Sequence, residues 1–329
     1  MILAGDIGGT KTNIALVEAS VDGGGLGKVV AQQTYHSAEY ESLEAILKLF
    51  IAGHKQEITH ACFGVAGPVI EGEVKTPNLA WDVSAHTVRE ALGIEHVRLL
   101  NDLEATAYGI GALQPSQLYT LNRGELRPEG NRALIAAGTG LGMAGIIRHQ
   151  GHYLPSPSEG GHTDFAPRGA VEIDLLNYLA EKYGEHVSYE RVLSGPGLFD
   201  IYRFLRDRKY APEPDWLAAE IKSGHEAAAI SGAALAGKSE LAVRALDMFV
   251  RIYGAMAGNL ALLMVATGGL YVGGGIAPKI LEKIKDGTFM RAFTNKGRLS
   301  AFNADIPVHV ILDDKTALYG AALCARSQE

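Results

Sequence analysis

Two glycine-rich turns, each set where one apolar run ends and another begins, constrain this chain more than any other feature. The first lies in Ile2-Leu3-Ala4-Gly5-Asp6-Ile7-Gly8-Gly9-Thr10-Lys11-Thr12-Asn13-Ile14-Ala15-Leu16-Val17. The second lies in Leu134-Ile135-Ala136-Ala137-Gly138-Thr139-Gly140-Leu141-Gly142-Met143-Ala144-Gly145-Ile146-Ile147. Short apolar runs joined through glycine read as buried strands meeting in a hairpin. Glycine admits positive φ and close approach, so backbone N–H groups can point at phosphate oxygens. Thr10 and Thr139 each add a hydroxyl. Two such turns in one chain predict a duplicated core that grips one triphosphate from both sides.

Three commoner motifs compete for these residues. Gly5 to Thr12 nearly spells a P-loop, but Thr10 stands where the second Gly belongs. A P-loop must also open a helix, whereas Asn13 to Val17 reads as a strand. Gly140-Leu141-Gly142-Met143-Ala144-Gly145 has dinucleotide-fingerprint spacing, yet that motif needs a βαβ unit, and no helix follows before the expected Pro155 to Gly161 loop. Ordinary glycine hairpins are the third possibility. Asp6 argues against them: an acid on an otherwise apolar strand needs a partner, and a metal ion is a common one.

A chain of 329 residues suggests two domains. Hydrophobic content of 47% and charged content of 20% are those of a soluble globular protein. A net charge of −7 argues against a nucleic-acid or membrane-surface partner, which would call for basic patches. Cys62 and Cys324 sit in apolar sequence and read as buried free thiols in a reducing cytoplasm. No secretory signal is expected from Met-Ile-Leu-Ala-Gly-Asp. The uncharged stretch between Arg251 and Lys279 could span a bilayer by length, but Gly254, Gly258, Asn259 and Thr267-Gly268-Gly269 interrupt it. A buried helix, a turn and a buried strand explain it better.

Val21 to Lys28 reads as a Gly-rich turn. A helix is expected from about Ser42, with Leu43, Ile46, Leu47 and Phe50 on one face, then a strand from Ile58 to Val65. Ser84 is a candidate N-cap for a helix ending before Gly93. Val97 to Leu100 is a short strand, Leu103 to Leu113 a helix, and Gln114 to Arg132 a polar connector taken as the domain junction. The second region turns helix-rich, with helices over Ala170 to Tyr183, Leu198 to Arg206 and Glu240 to Met264. After a strand from Val308 to Leu312, the helix Lys315 to Ala325 is expected to pack back on the first domain. The predicted division is 1–113 with 313–329, a small α/β domain, and 114–312, a large one.

Several polar groups stand at places where chemistry is done. Asn101-Asp102 ends a short apolar strand, where α/β sheets present ligand-binding groups, though either residue would also cap the next helix. Ser158-Glu159-Gly160-Gly161-His162-Thr163-Asp164-Phe165 is a polar loop carrying an acid and an imidazole. Glu190 precedes the Gly195-Pro196-Gly197 turn, and Asn78 lies in the turn Thr76 to Trp81. This set of amides, carboxylates and one imidazole, without a Lys or Arg cluster, suits the hydroxyls of a polyol or sugar; an anionic substrate would call for Arg or Lys. Gly273-Gly274-Gly275, after the strand Leu270 to Val272, offers a flat backbone for a purine.

In this order, Gly-Asp-Ile-Gly-Gly-Thr, Asn-Asp, Gly-Thr-Gly-Leu-Gly, Glu-Gly-Gly-His, Glu-Arg-Val-Leu-Ser-Gly-Pro-Gly and Gly-Gly-Gly-Ile, the chain resembles the bacterial glucokinase family from Ile2 to about Ala325. Lys11-Thr12 is similar to ROK-type sugar kinases, but those usually carry a Cys-rich zinc motif that two separated cysteines cannot make. The resemblance implies a two-domain α/β actin-like ATPase (ribonuclease H-like) fold with an interdomain cleft, and transfer of the γ-phosphate of ATP to the 6-hydroxyl of glucose. It implies that Asp102 is the catalytic base, that Asn78, Asn101, Glu159, His162 and Glu190 bind sugar hydroxyls, and that Asp6 holds Mg²⁺, through water. Gly8, Gly9, Thr10, Lys11, Gly138, Thr139 and Gly140 would meet phosphates, and Gly273 to Gly275 the adenosine. A cytoplasmic homodimer is expected. One sugar needing residues of both regions implies that binding closes the cleft, hinging near the connector and Asp313-Asp314. Three alternatives stand beside this expectation: a kinase for another hexose or amino sugar, a sugar-sensing regulator on the same fold, and a chaperone-like or cytoskeletal ATPase. The regulator would need a DNA-binding segment, for which the first turn, starting at residue 5, leaves no room.

Overall fold

The computed structural model describes residues 1–18, 25–76 and 79–326. Residues 21–24 of the expected Val21 to Lys28 turn and the candidate Asn78 lie outside them. The chain divides into two compact units: Met1–Gln117, Tyr153–Pro157 and Asp313–Glu329 form unit 1, and Leu118–His152 with Ser158–Leu312 form unit 2.

Unit 1 is built on a five-stranded sheet of β1 (Ile2–Ile7), β2 (Lys11–Val17), β3 (Val29–His36), β4 (His60–Val65) and, after the two-residue pair β5 (Glu73–Val74) and β6 (Val83–Ser84), β7 (His96–Asn101). Its order is β3-β2-β1-β4-β7, with β1 antiparallel to β2 and parallel to β4. Strands β1, β2 and β4 are largely apolar without alternation because both faces are covered. Leu3, Ile7, Ile14, Leu16, Phe63 and Leu99 face one core with the helix Leu43–Ile51, whose buried residues are Leu43, Ile46, Leu47 and Phe50. The opposite parity, Ile2, Ala4, Ala15, Cys62 and Leu100, meets the C-terminal helix Thr316–Arg326 through Leu318, Ala321, Ala322 and Cys324. Ser42 and Ser84 cap their helices as the sequence indicates, and Gly93 closes the second at φ 66°.

The C-terminal helix also crosses the helix Asp102–Gly109 with backbone against backbone. A Cβ on Gly320 would lie 1.7 Å from the Ala105 carbonyl oxygen, and one on Gly109 1.9 Å from that of Thr316. Neither contact can be relieved by turning a side chain. Gly320→Ala should therefore cost about 1–3 kcal/mol, as overpacking does, and displace the helix that begins at Asp102. A lowered melting temperature is the expected result; an unchanged one would contradict it.

A second, six-stranded sheet repeats the same topology. After β8 (Leu118–Asn122) come β9 (Arg132–Ala137), β10 (Leu141–His149), β11 (His152–Ser158), β12 (Leu270–Gly273) and β13 (Val308–Ile311). The order is β11-β10-β9-β12-β13-β8, with β9 antiparallel to β10 and parallel to β12, as β1 is to β2 and β4. The duplicated core expected from the two turns is thus present, with β8 added at one edge. Two expectations change here. The polar connector contains β8, none of whose residues is buried, and Pro155 and Pro157 belong to an edge strand, where a missing N–H is tolerated. The helix Glu240–Met264 is long and apolar enough to cross a membrane, but most of it is buried in the unit 2 core, including Gly254 and Gly258.

Candidate active site

In unit 1, Asp6 and Asp102 arise from the C-terminal ends of parallel strands. Asp6 pairs in register with Gly64 of β4, and Val65 pairs with Asn101 at the end of β7. Strands are spaced about 4.8 Å apart, so the two acids stand roughly 10 Å apart across β4. Gly64 keeps that interval open: a Cβ there would come 2.7 Å from the Ala105 Cβ and 3.8 Å from the Asp102 Cα. Asp6 shares its sheet parity with Ile2 and Ala4, on the face that carries the C-terminal helix. It is only partly exposed, and its carboxyl accepts a 3.4 Å hydrogen bond from Asn13 Nδ2. Burial pushes its pKa up to about 6 against the pull of that bond, with the charges of Asp102 and Asp314 adding to the rise.

Asn101, not Asp102, occupies the cap position of the helix Asp102–Gly109. Its Oδ1 accepts the Leu103 N–H at 2.9 Å, and its Nδ2 donates to the Gly67 carbonyl at 3.0 Å. Asp102 is the first helical residue and is exposed, its Oδ1 also taking the Leu103 N–H at 2.9 Å. The capping that sequence could have assigned to either residue thus falls on Asn101.

The first turn is a tight hairpin in which the Gly8 N–H donates to the Lys11 carbonyl at 2.9 Å. Ser37 braces it, donating its hydroxyl to the Gly8 carbonyl at 2.7 Å and its N–H to that of Thr10 at 3.1 Å. Thr10 and Lys11 are exposed.

In unit 2 the second turn, Gly138-Thr139-Gly140, joins β9 to β10 with the Gly138 N–H donating to the Gly140 carbonyl at 2.8 Å. Gly8, Gly138 and Gly140 all keep φ outside the left-handed region. The glycines of these turns serve close approach rather than unusual dihedrals. At Gly140 a Cβ would sit 2.5 Å from Glu190 Oε2, the atom that accepts the Leu141 N–H at 3.0 Å. Glu190 is thereby held against the hairpin. Gly140→Ala should push that carboxylate aside and break its bond to the Leu141 N–H, costing about 1–3 kcal/mol. A melting temperature checks this, and an unchanged value would contradict the close packing of Glu190 on the hairpin.

The loop bearing Glu159 and His162 lies beside the segment bearing Glu190. The Tyr189 N–H donates to the Thr163 carbonyl at 2.9 Å, and the Phe165 N–H to that of Val187 at 2.8 Å. A short helical turn, Gly160–His162, forms the loop, with Glu159 and His162 both exposed. Gly161 is needed because a Cβ there would meet the Leu141 carbonyl at 1.9 Å. Glu159, His162 and Glu190 are therefore assembled around the base of one hairpin.

A cavity of about 470 Å³ adjoins the same turn. Thr139, Pro196, Phe199, Ala227, Ile276 and Lys279 are among its walls. The helix Gly195–Asp207 starts against the hairpin, its Gly195 N–H donating to the Gly138 carbonyl at 2.9 Å, so its positive dipole end faces the turn. Gly273 to Gly275 do not line the cavity; they lead into its wall at Ile276. Gly274, at φ 80°, lets the chain turn there beside β9, where a Cβ would be 2.3 Å from the Ala137 carbonyl oxygen. The segment from His225 to Ser231 contributes a wall that sequence reasoning missed. Its alanines carry no signal that distinguishes them from an ordinary buried helix.

The glucokinase family model matches residues 3–328. The chain is 45% identical over 338 aligned positions to a glucokinase of Nostoc punctiforme, covering 99% of this chain and 98% of that one. It is 35% identical to one of Yersinia enterocolitica, with 99% and 96% covered. Among solved structures, a glucokinase from an Antarctic psychrotroph superposes with a TM-score of 0.87 at 31% identity over 99% of both chains. A ROK family glucokinase from Streptomyces griseus, solved with glucose and AMPPNP, gives 0.63 at 24% identity over 99% of both, a likeness of fold alone. With a duplicated α/β core, two braced glycine hairpins and a family match along nearly its whole length, the chain belongs to the glucokinase family, the ATP-dependent hexose kinases.

Proposed function

We propose that Asp102 is the general base of this glucokinase, accepting the proton of the glucose 6-hydroxyl as that oxygen attacks the γ-phosphorus of ATP. The observation that carries the assignment is the division of labour at the end of β7: Asn101 caps the helix and leaves Asp102 exposed. Phosphoryl transfer asks little covalent chemistry of the protein; it asks for positioning, charge neutralisation and exclusion of water. Asn101, Glu159, His162 and Glu190 bind the remaining hydroxyls, with Asn78 a further candidate. The turns Gly8 to Lys11 and Gly138 to Gly140 meet phosphate oxygens. The 470 Å³ cavity, with Phe199, Ala227 and Ile276 as apolar walls, takes the adenosine, and Gly273 to Gly275 guide the chain to it.

Mg²⁺ fits the acids of unit 1. Among the described residues no three His, Cys, Asp or Glu side chains could cage a metal. Mg²⁺ is commonly held by one or two carboxylates, with water and substrate phosphates completing its shell. Asp6 would hold it; its pKa of about 6, raised by burial with Asp102 and Asp314 adding, marks a carboxylate that a cation would relieve. When bound, the ion supplies charge neutralisation on the phosphates. Buried free thiols at Cys62 and Cys324 support a reducing, cytoplasmic setting; a homodimer is the expected assembly, which sedimentation velocity would test.

A coupled assay with Mg-ATP and a panel of hexoses and amino sugars tests the substrate. Glucose should give the highest kcat/KM. A higher value with another sugar would reassign the substrate, and ATP use independent of any sugar would remove the kinase role.

A further inference from the structure

Unit 2 carries a second groove, lined by none of the residues assigned above. Arg168, Arg251 and Arg291 line it together with Thr288 and Asn295, around a cavity of about 340 Å³. An adjoining hollow of about 290 Å³ shares Arg168, Arg251 and Asn295 and adds the first turn of the helix Gly169–Tyr183.

The charges there do not cancel. Glu172 is buried and fully engaged, accepting from Arg251 Nε at 2.9 Å and from the Arg168 N–H at 2.7 Å. Asp247 also lines the groove, and its charge is paired with Lys283. The Arg168 guanidinium has one long bond, 3.5 Å to the Arg251 carbonyl, and that of Arg291 donates to Thr288 Oγ1 at 3.0 Å. Neither meets a carboxylate among the described residues. Lys296 beside them donates to the Ala255 carbonyl at 2.9 Å and to Asn259, and burial pushes its pKa down to about 8, with the Arg168 charge adding to the fall. On a chain of net charge −7, these three arginines and a lysine are gathered against the general balance.

We propose that this groove binds a phosphate dianion, as inorganic phosphate or as the phosphate group of a sugar phosphate, on the forks of Arg168 and Arg291. A guanidinium fork matches phosphate oxygens two at a time, and the cavity is of small-ligand size. The site also has a physical route to the sugar loops. Arg168 directly follows the loop that carries Glu159 and His162, and Asn259, beside Lys296, reaches the Tyr189 hydroxyl at 3.4 Å next to Glu190. Occupancy should therefore change the KM for glucose. Anion binding is independent of the glucokinase reading; only this consequence rests on it.

Calorimetric titration of the full chain, first saturated with glucose and a non-hydrolysable ATP analogue, separates this groove from the active site. Inorganic phosphate is titrated in one arm and glucose 6-phosphate in the other. At least one should bind once per chain, and Arg168→Gln and Arg291→Gln should each weaken it about tenfold or more. Tighter binding of the sugar phosphate would name that source; equal binding would name the free anion. In kinetics, Arg291→Gln should keep the kcat and KM that wild type shows without phosphate, and lose the KM shift that phosphate causes in wild type. Arg291 is exposed, so its variant decides the matter if Arg168→Gln folds poorly. No binding of either anion, or binding unchanged in Arg291→Gln, would overturn the proposal.

Discussion

Asp102→Ala should lower kcat by about 10²–10⁴, the usual worth of a positioned general base, while leaving the fold intact. The stability side follows from the cap geometry. Asn101 Oδ1 satisfies the Leu103 N–H and its amide holds the Gly67 carbonyl, so the helix keeps its cap when Asp102 is cut back. What remains to lose is Asp102's share of the same Leu103 N–H and the favourable placing of an acid in a helix's first turn, the latter worth about 0.3–1 kcal/mol. Asn101→Ala should behave in the opposite proportion, losing about 1 kcal/mol or more of stability with the cap. Measuring kcat and melting temperature on both variants separates the roles. Near-normal turnover in Asp102→Ala would show that Asp102 does no chemistry.

Asp6→Asn should lower Mg-ATP-dependent turnover by about 10²-fold or more, the scale seen when a preorganised electrostatic group is removed, and should stabilise the protein. The two effects share one cause. A carboxyl raised to about 6 from 3.8 binds its proton more tightly folded than unfolded. Its charged form therefore costs stability, progressively as pH rises from about 4 to about 6, and the cost is complete above that. Allowing for partial exposure, the penalty at neutral pH is on the order of 1–2 kcal/mol. Asparagine removes it, so the melting temperature without nucleotide should rise at pH 7 to 8, and the gain should shrink as pH falls below about 5. Glucose binding measured without nucleotide should be nearly unchanged. A large loss of glucose affinity with normal Mg²⁺ dependence would contradict the assignment.

Much of the fold was legible where one physical rule dominates. The helices Leu43–Ile51 and Glu240–Met264 follow directly from periodic apolar residues, and β1, β2, β4 and β7 from apolar runs buried on both faces. The duplicated sheet was legible in the two hairpins. Strands β8 and β11 were not, because edge strands bury little and tolerate proline, which leaves composition no signal. Cys62 and Cys324 are far apart in sequence, yet their mutual hydrogen bond, with burial, pushes the Cys62 thiol well up; only the return of the C-terminal helix brings them together. In the candidate site, the acids and imidazole stood out as polar groups beside glycines. The cavity wall from His225 to Ser231 did not, because the wall of an apolar pocket and an apolar core use the same residues.

The most direct test of Asp102 as base toward the glucose 6-oxygen is a phosphorus and carbon NMR time course with glucose and Mg-ATP. It compares wild type with Asp102→Asn, a substitution that keeps shape and removes the proton acceptor. Wild type should convert glucose to glucose 6-phosphate and ADP. The variant should bind glucose with unchanged affinity and form the same product at least about 10²-fold more slowly. Wild-type rates in Asp102→Asn, or phosphate on any oxygen other than the 6-oxygen, would contradict the account.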